Sequence, residues 1–190
     1  MGKVWFTSDL HFAHANIMEP CQRPWTNTDK MDEALIERFN ACVSEDDSVY
    51  ILGDFAWKTP RKYLRRLNGK LFLIRGNHDF RWKRAQFSLP GKVVWVKDSA
   101  LIHIEEETTD YIMGNRLVDQ WVYLSHYPHR VWPNKGRGTW HLYGHVHGSL
   151  DRVYYDVSMD VGVDAHNYMP VSVNTIHNHM LKAKGRYGFK

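Results

Sequence analysis

The sequence predicts an α/β fold whose first half alternates strand and helix and whose second half is built mainly of strands. Three observations predict it. Up to residue 90, short apolar runs of strand length alternate with helical stretches in the order β-α-β-α-β, which favours parallel pairing with helices packed outside. Beyond residue 90 the helical periodicity fades while apolar runs continue. Several of these runs end abruptly in a loop bearing Asp, His or Asn, most plainly Leu71-Phe72-Leu73-Ile74 followed by Arg75-Gly76-Asn77-His78-Asp79.

Val4 to Thr7 is the first expected strand and ends at Ser8-Asp9-Leu10-His11. The polar stretch from Asn16 to Thr28, with Pro20 and Pro24, reads as loop. Thr28 is placed to cap a helix whose first turn carries Asp29, Asp32 and Glu33, which suit the positive end of the helix dipole. Met31, Leu35, Phe39 and Val43 then recur every fourth residue as one apolar stripe, and Ser44-Glu45-Asp46-Asp47 stops the helix. Val49 to Leu52 is the second strand, ending at Gly53-Asp54. Thr59-Pro60 opens a second helix, with Tyr63, Leu64 and Leu67 facing inward and Gly69 closing it. Leu71 to Ile74 is the third strand.

Further strands are expected at Val93 to Val96, Leu101 to Ile104, Trp121 to Leu124 and His141 to Tyr143, with one or two more between Val153 and Val163. Glu105 to Gly114 reads as a turn or hairpin tip, Pro128 to Gly138 as the longest unpatterned loop, and Lys182 to Lys190 as a basic, fraying tail. No repeat, low-complexity tract or linker divides the chain, so residues 1–190 are read as one domain.

The composition, with 43% hydrophobic and 24% charged residues, is that of a folded globular chain. No apolar stretch approaches the roughly 18–20 residues that a membrane helix requires. The N-terminus enters a strand pattern without a signal-peptide core, which makes the cytoplasm the expected compartment. Two cysteines, Cys21 and Cys42, suggest neither a disulfide framework nor a thiolate zinc site. The formal charge is +4, and between Lys58 and Lys92 eleven Lys or Arg face one acid, Asp79. That segment is either an ordinary solvated face or a phosphate-attracting surface.

The residues just past the strands form a constellation: Asp9 and His11, Asp54, Asn77 and His78, His126, then His145 and His147. In an extended segment residues two apart point the same way, so Asp9 and His11 converge, as do His145 and His147. Ligands of open α/β sheets gather outside the carboxyl ends of strands, where all these residues fall. Glycines at 53, 76, 144 and 148 give the backbone room beside them. Oxygen and nitrogen donors without sulfur suit borderline divalent ions such as Mn²⁺, Fe²⁺ or Zn²⁺.

Asp9-x-His11, Gly53-Asp54, Gly76-Asn77-His78-Asp79, Ser125-His126 and Gly144-His145-x-His147 resemble, in order, the five blocks of the calcineurin-like metallophosphoesterase family. The opening Ser8-Asp9-Leu10-His11-Phe12, with His14, Asn16 and Ile17, is similar more narrowly to small stand-alone bacterial and phage members. Asp54 is followed by Phe55-Ala56-Trp57-Lys58, not by the Asp-Arg-Gly of the protein Ser/Thr phosphatases, which argues against that branch.

The resemblance implies a two-sheet β-sandwich flanked by helices, a four-layer α/β/β/α arrangement with the site on one rim. It implies two divalent metal ions, with Mn²⁺ preferred and Fe²⁺, Zn²⁺ or Ni²⁺ as alternatives. Asp9, His11, Asp54 and His147 would hold one ion and Asp54, Asn77, His126 and His145 the other, Asp54 bridging. Two dications against two carboxylates leave positive charge to attract a phosphate. The implied reaction is hydrolysis of a phosphate mono- or diester, such as a nucleotide or cyclic nucleotide, by a hydroxide bridging the two ions. His78 would stabilise the transition state or protonate the leaving group, and Asp79 would fix its tautomer.

Two other readings use the same residues: a nuclease tracking DNA or RNA along the basic stretch, and a scaffold that has lost the chemistry. An HD-type phosphohydrolase is disfavoured because a strand, not a helix, leads into His78-Asp79. His14 and Asn16 either line the pocket or face solvent, and His129 is open between the two. His103, His141, His166, His177 and His179 read as ordinary sheet or surface residues. Trp57, Trp82, Tyr127 and Trp132 flank the blocks; packing is favoured over stacking a nucleobase. Arg23, Lys58, Arg75 and Arg130 are candidate phosphate contacts.

Overall fold

The computed structural model of the protein describes residues 2–110, 114–150 and 157–187. One sheet contains β1 (Val4–Thr7), β2 (Ser48–Leu52), β3 (Lys70–Ile74), β4 (Val93–Lys97) and β9 (Val171–Ser172), in the spatial order β4-β3-β2-β1-β9. The first four run parallel, and β9 lies antiparallel on β1. The second sheet, in the order β5-β6-β7-β8, contains β5 (Ser99–Asp110), β6 (Gly114–Ser125), β7 (Trp140–Tyr143) and β8 (Ser158–Asp160). Strands β5 and β6 form an antiparallel hairpin, and β7 and β8 continue parallel to β6.

The first sheet is covered on both faces, which is why its strands read as nearly continuous apolar runs. Side chains alternate across it. Trp5, Val49, Ile51, Leu71 and Leu73 pack toward Met31, Leu35 and Phe39 of α1 (Thr28–Cys42) and Tyr63 and Leu64 of α2 (Pro60–Leu64). Phe6, Leu52 and Ile74 point the other way, into a core shared with Ala100, Ile104, Val122, Leu124 and Leu142 of the second sheet. The expected α/β two-sheet sandwich is present.

Several boundaries differ from the sequence expectation, each for a local reason. Asn27 is the cap of α1: its Oδ1 accepts from the Lys30 amide at 2.9 Å, and Thr28 is the first helical residue. Thr59 has a left-handed backbone, φ 49°, and makes no side-chain cap, and α2 ends at Leu64 instead of running on to Gly69. Residues 105–110 are not a turn. They continue β5, with Glu105 paired to Asp119 and Asp110 to Gly114, while 111–113 lie outside the described residues. Between 157 and 163 there is one strand, β8, and the rest of that expectation, 153–156, lies outside the described residues.

The helix that sequence periodicity missed is α3 (Val173–Tyr187), which includes much of the expected tail. Its Val173, Ile176 and Met180 enter the core between the sheets. Among the described residues, no helix is long and apolar enough to cross a membrane.

Candidate metal centre

The loops after β1, β2 and β3 lie side by side because parallel pairing continues past the strands. The Asp9 amide donates to Gly53 O at 3.0 Å, His11 to Asp54 O at 2.9 Å and Phe12 to Phe55 O at 3.1 Å. The second sheet brings its loops to the same rim: Gly144 N donates to His126 O at 2.9 Å, and Val163 N donates to Ser8 O at 3.1 Å. The carboxyl ends of strands from both sheets therefore open onto one pocket.

The expected reason for convergence needs correction. Asp9 and His11 do not lie on extended backbone; both are left-handed, with φ of 58° and 51°, as are Asp54 at 51°, His145 at 72° and His147 at 48°. Each such non-glycine residue costs about 1–3 kcal/mol and persists where its surroundings over-determine it, a state concentrated at functional sites. Space is equally constrained. A Cβ at Gly144 would strike Ser8 Oγ and the Asp9 carboxylate, and one at Gly53 would strike the His126 ring.

Asp54 stands at the centre. Its Oδ2 lies 3.5 Å from His11 Nε2, 3.5 Å from His126 Nε2 and 3.8 Å from His78 Nε2, while Oδ1 accepts from the His78 amide at 2.9 Å. On one side, Asp9, His11 and His147 offer ligand atoms all within 4.8 Å of one another; on the other, Asp54, His126 and His145 do the same. Asn77 Oδ1 joins the second group at 2.9 Å from His126 Nε2. All seven expected ligands thus meet in one pocket.

The polar atoms here fit a divalent cation. Asp9 Oδ1 and His11 Nε2 are buried without a hydrogen-bond partner, a condition that ordinarily costs about 1–3 kcal/mol per group. His126 Nδ1 lies 2.8 Å from Leu52 O and must carry the proton, because a carbonyl only accepts. Its Nε2 lone pair therefore faces the Asn77 side-chain amide at 2.9 Å, and a cation held between the two would accept that lone pair and the Asn77 Oδ1 together. His147 repeats the logic: Nδ1 donates to Asp164 Oδ2 at 2.6 Å, which leaves Nε2 to face Asp9 and His11.

The two carboxylates titrate apart. Burial pushes Asp9 up to about 7 against the pull of His126 and His147. Burial acts upward on Asp54 as well, but the His126 hydrogen bond and the charges of His126 and His11 outweigh it and hold Asp54 at about 2. Burial lowers His11 well below the usual imidazole range and is the largest effect lowering His145. Burial acts downward on His126 and His147 too, but the Asp54 hydrogen bond and the charge of Asp9 outweigh it and raise His126, and the Asp164 hydrogen bond brings His147 to about 10. A metal ion would have to displace the second proton of these two, whereas His11 and His145 are already neutral.

His78 stands at the mouth, its side chain about one-third exposed at 34%, with its ring 5.2 Å from His11 and 5.3 Å from His14. Asp79 does not orient it. The buried Asp79 carboxylate accepts from Phe55 N at 3.1 Å and Gly76 N at 2.9 Å, and no hydrogen bond joins it to the His78 ring. Chain geometry explains the difference: His78 and Asp79 start a 3-10 turn in which Asp79 points inward and binds its own loop and the neighbouring one.

The flanking candidates divide. His14 lines the pocket: it is buried, its Nδ1 lies 3.1 Å from His11 Nδ1, and its ring stacks on Trp57 at 4.2 Å. Arg23 is not available to a phosphate, because it is buried and holds Asp164 and the carbonyls of Asp9 and Leu10. Arg75 pairs with Asp98 at 2.6 Å. Trp132 is core, Trp82 donates to Ala56 O, and Tyr127 is exposed with its ring edge toward His145. His129 is exposed, and His141 is wholly buried behind it. Asp164 and Arg81, whose guanidinium lies 3.4 Å from the Trp57 ring, escaped the sequence reading. Asp164 had a signal: it follows β8 as the other site residues follow their strands.

A two-sheet α/β protein with Asp, Asn and His converging at its strand ends is of the metal-dependent hydrolase type. The chain belongs to the calcineurin-like phosphoesterase family, whose model matches residues 2–161. It is 30% identical to an uncharacterized protein of Methanocaldococcus jannaschii over 97% of this chain and 94% of that protein. It is 28% identical to the Gene 66 protein of Mycobacterium phage L5, over 87% of this chain and 88% of the phage protein. A crystal structure of a protein of unknown function from Aquifex aeolicus superposes with a TM-score of 0.65 at 22% identity, covering 94% of this chain and 99% of that one, and it shows the shared fold. Family membership makes this chain a metal-dependent phosphoesterase, with Asp and His clusters able to bind the metal.

Proposed function

We propose that residues 1–190 act as one domain with a dinuclear centre that hydrolyses the phosphate ester of a small molecule, a nucleotide or cyclic nucleotide. The observation that carries this reading is the position of the Asp54 carboxylate, within 3.5 Å of a histidine from each of the two clusters. Asp9, His11, Asp54 and His147 would hold one ion, and Asp54, Asn77, His126 and His145 the second. The oxygen and nitrogen donor set favours Mn²⁺, with Fe²⁺, Zn²⁺ and Ni²⁺ as competitors. Bound there, such ions supply positive charge to a phosphoryl group and bring the pKa of water toward neutrality.

The chain's own residues supply the rest. The His78 amide bonds Asp54, which places its ring beside the centre with Nε2 directed inward and one edge open to substrate. From there it donates to a phosphoryl oxygen or protonates the leaving oxygen. His14 and Trp57 wall off the adjacent side and exclude water from His11. Three cations of the basic segment from Lys58 to Lys92 are paired with acids at the surface, Arg66 with Glu33, Arg84 with Asp98 and Lys92 with Glu45, which reduces the positive charge open to a nucleic-acid track and favours a small substrate.

The test is an assay of metal-stripped protein reloaded with Mn²⁺, Zn²⁺, Fe²⁺ or Ni²⁺. The substrates are p-nitrophenyl phosphate, its bis-ester, linear and cyclic nucleotides, and oligonucleotides over a range of salt. Metal-dependent, salt-insensitive turnover of a mononucleotide supports the proposal. Cleavage confined to oligonucleotides and falling steeply with salt would replace it with the nuclease reading.

A further inference from the structure

The buried Arg23–Asp164 pair lies behind the centre and belongs to none of the five sequence blocks. Arg23 is 5% exposed, and its guanidinium makes a two-pronged contact with Asp164, Nε to Oδ1 and an Nη to Oδ2, each at 2.8 Å. The same guanidinium donates to Asp9 O at 2.6 Å and to Leu10 O at 3.0 Å. Asp164 Oδ2 in turn accepts from His147 Nδ1 at 2.6 Å. One side chain thus ties the loop that carries Asp9 and His11 to the residue that orients His147, across 141 positions of sequence. These three are the outer ligands of one proposed ion, and all three have left-handed backbones that need external support.

We infer that Asp164 and Arg23 are positioning residues for that one metal position. Asp164 fixes the proton of His147 on Nδ1, so the Nε2 lone pair faces Asp9 and His11, and Arg23 holds Asp164 in register with the Asp9 loop. A fixed tautomer and a fixed loop lower the ordering cost of ligation, and loss of such an outer partner typically weakens metal affinity about 10–100-fold. The inference rests on the dinuclear reading above, and it is local: no bond of Arg23 or Asp164 reaches Asn77, His126 or His145. Arg23 also stabilises the fold, since removing it would leave the buried Asp164 carboxylate with His147 as its remaining side-chain partner. Asp164→Asn is therefore the primary variant, because it keeps the shape and the acceptor oxygen.

The experiment titrates metal-stripped full-length protein with Mn²⁺ by calorimetry, comparing wild type, Asp164→Asn, Asp164→Ala and Arg23→Lys. Circular dichroism checks folding of each. Wild type should show two binding events. Asp164→Ala should weaken one of them by about 10–100-fold and leave the other in place, with Asp164→Asn and Arg23→Lys intermediate. In Zn²⁺-loaded protein, proton NMR should show a protected low-field His147 Nδ1–H in wild type that is lost in Asp164→Ala, a change that a purely structural role would not produce. Wild-type affinity for both ions in a folded Asp164→Asn and Asp164→Ala would overturn the inference, as would equal weakening of both events. Fewer than two events in wild type would instead overturn the dinuclear reading itself, and this inference with it.

Discussion

The carboxylate of Asp54 fills the space that a β-carbon on Gly76 would need. The two residues lie two positions past neighbouring parallel strands, β2 and β3, so the register that pairs Leu52 with Ile74 also presses the loop that carries Asp54 against the glycine of the other. Gly76 serves here by its lack of bulk.

Gly76→Ala is therefore predicted to displace Asp54. The expected result is a loss of stability of about 1–3 kcal/mol, as for other overpacked sites, together with loss of metal at both proposed positions. Urea unfolding and a metal-to-protein ratio measure the two effects. A variant that retains its metal would mean the loop shifts without moving the carboxylate.

His78 and Asp79, adjacent in sequence, should behave differently when removed. His78→Ala should keep its stability and metal content but lose about 10²–10⁴-fold in turnover, the range for a general acid. Asp79→Ala should instead lower stability by about 2–4 kcal/mol, because it orphans the Phe55 and Gly76 amides together. Paired unfolding and kinetic measurements separate them. Loss of turnover without loss of stability in Asp79→Ala would return Asp79 to an orienting role for the imidazole.

His141 makes the acid limb of stability predictable. Burial lowers its pKa from 6.5 to about 4, although the Tyr123 carbonyl acts in the opposite sense. The folded state holds it neutral, with Nε2 accepting from His129 N at 3.0 Å, while the unfolded chain takes up a proton near pH 6.5. The unfolded state therefore binds more protons between these values, so the contribution is present above pH 6.5 and lost as the pH falls to 4. The loss is on the order of 3 kcal/mol. Urea unfolding at pH 7 and pH 5 should show a smaller difference in His141→Gln than in wild type; equal differences would assign the acid sensitivity elsewhere.

What could be read from the sequence follows from where the physics is local. Val4–Thr7, Val49–Leu52 and Leu71–Ile74 stand out because a sheet covered on both faces needs unbroken apolar runs, and the site residues stand out because each directly follows such a run. Helix α3 stayed hidden because Val173, Ile176 and Met180 are separated by Asn174, His177, Asn178 and His179, and only the inter-sheet core selects that stripe. Strand β9, two residues long, is defined by its pairing with β1 alone. Arg23 could not be told from a surface arginine, since its partner Asp164 is joined to it only by the fold. Asp79 was misread because the choice between a neighbouring imidazole and two backbone amides is made by the turn after β3, which composition does not reveal.

In the proposed centre one carboxylate, Asp54, serves both metal positions. The most direct test is the metal-to-protein ratio of Asp54→Asn against wild type, measured on reloaded protein by inductively coupled plasma mass spectrometry. The account predicts two ions per chain in wild type and depletion of both in the variant, because the amide supplies neither the charge nor the second anionic oxygen. An unchanged ratio in Asp54→Asn would contradict it.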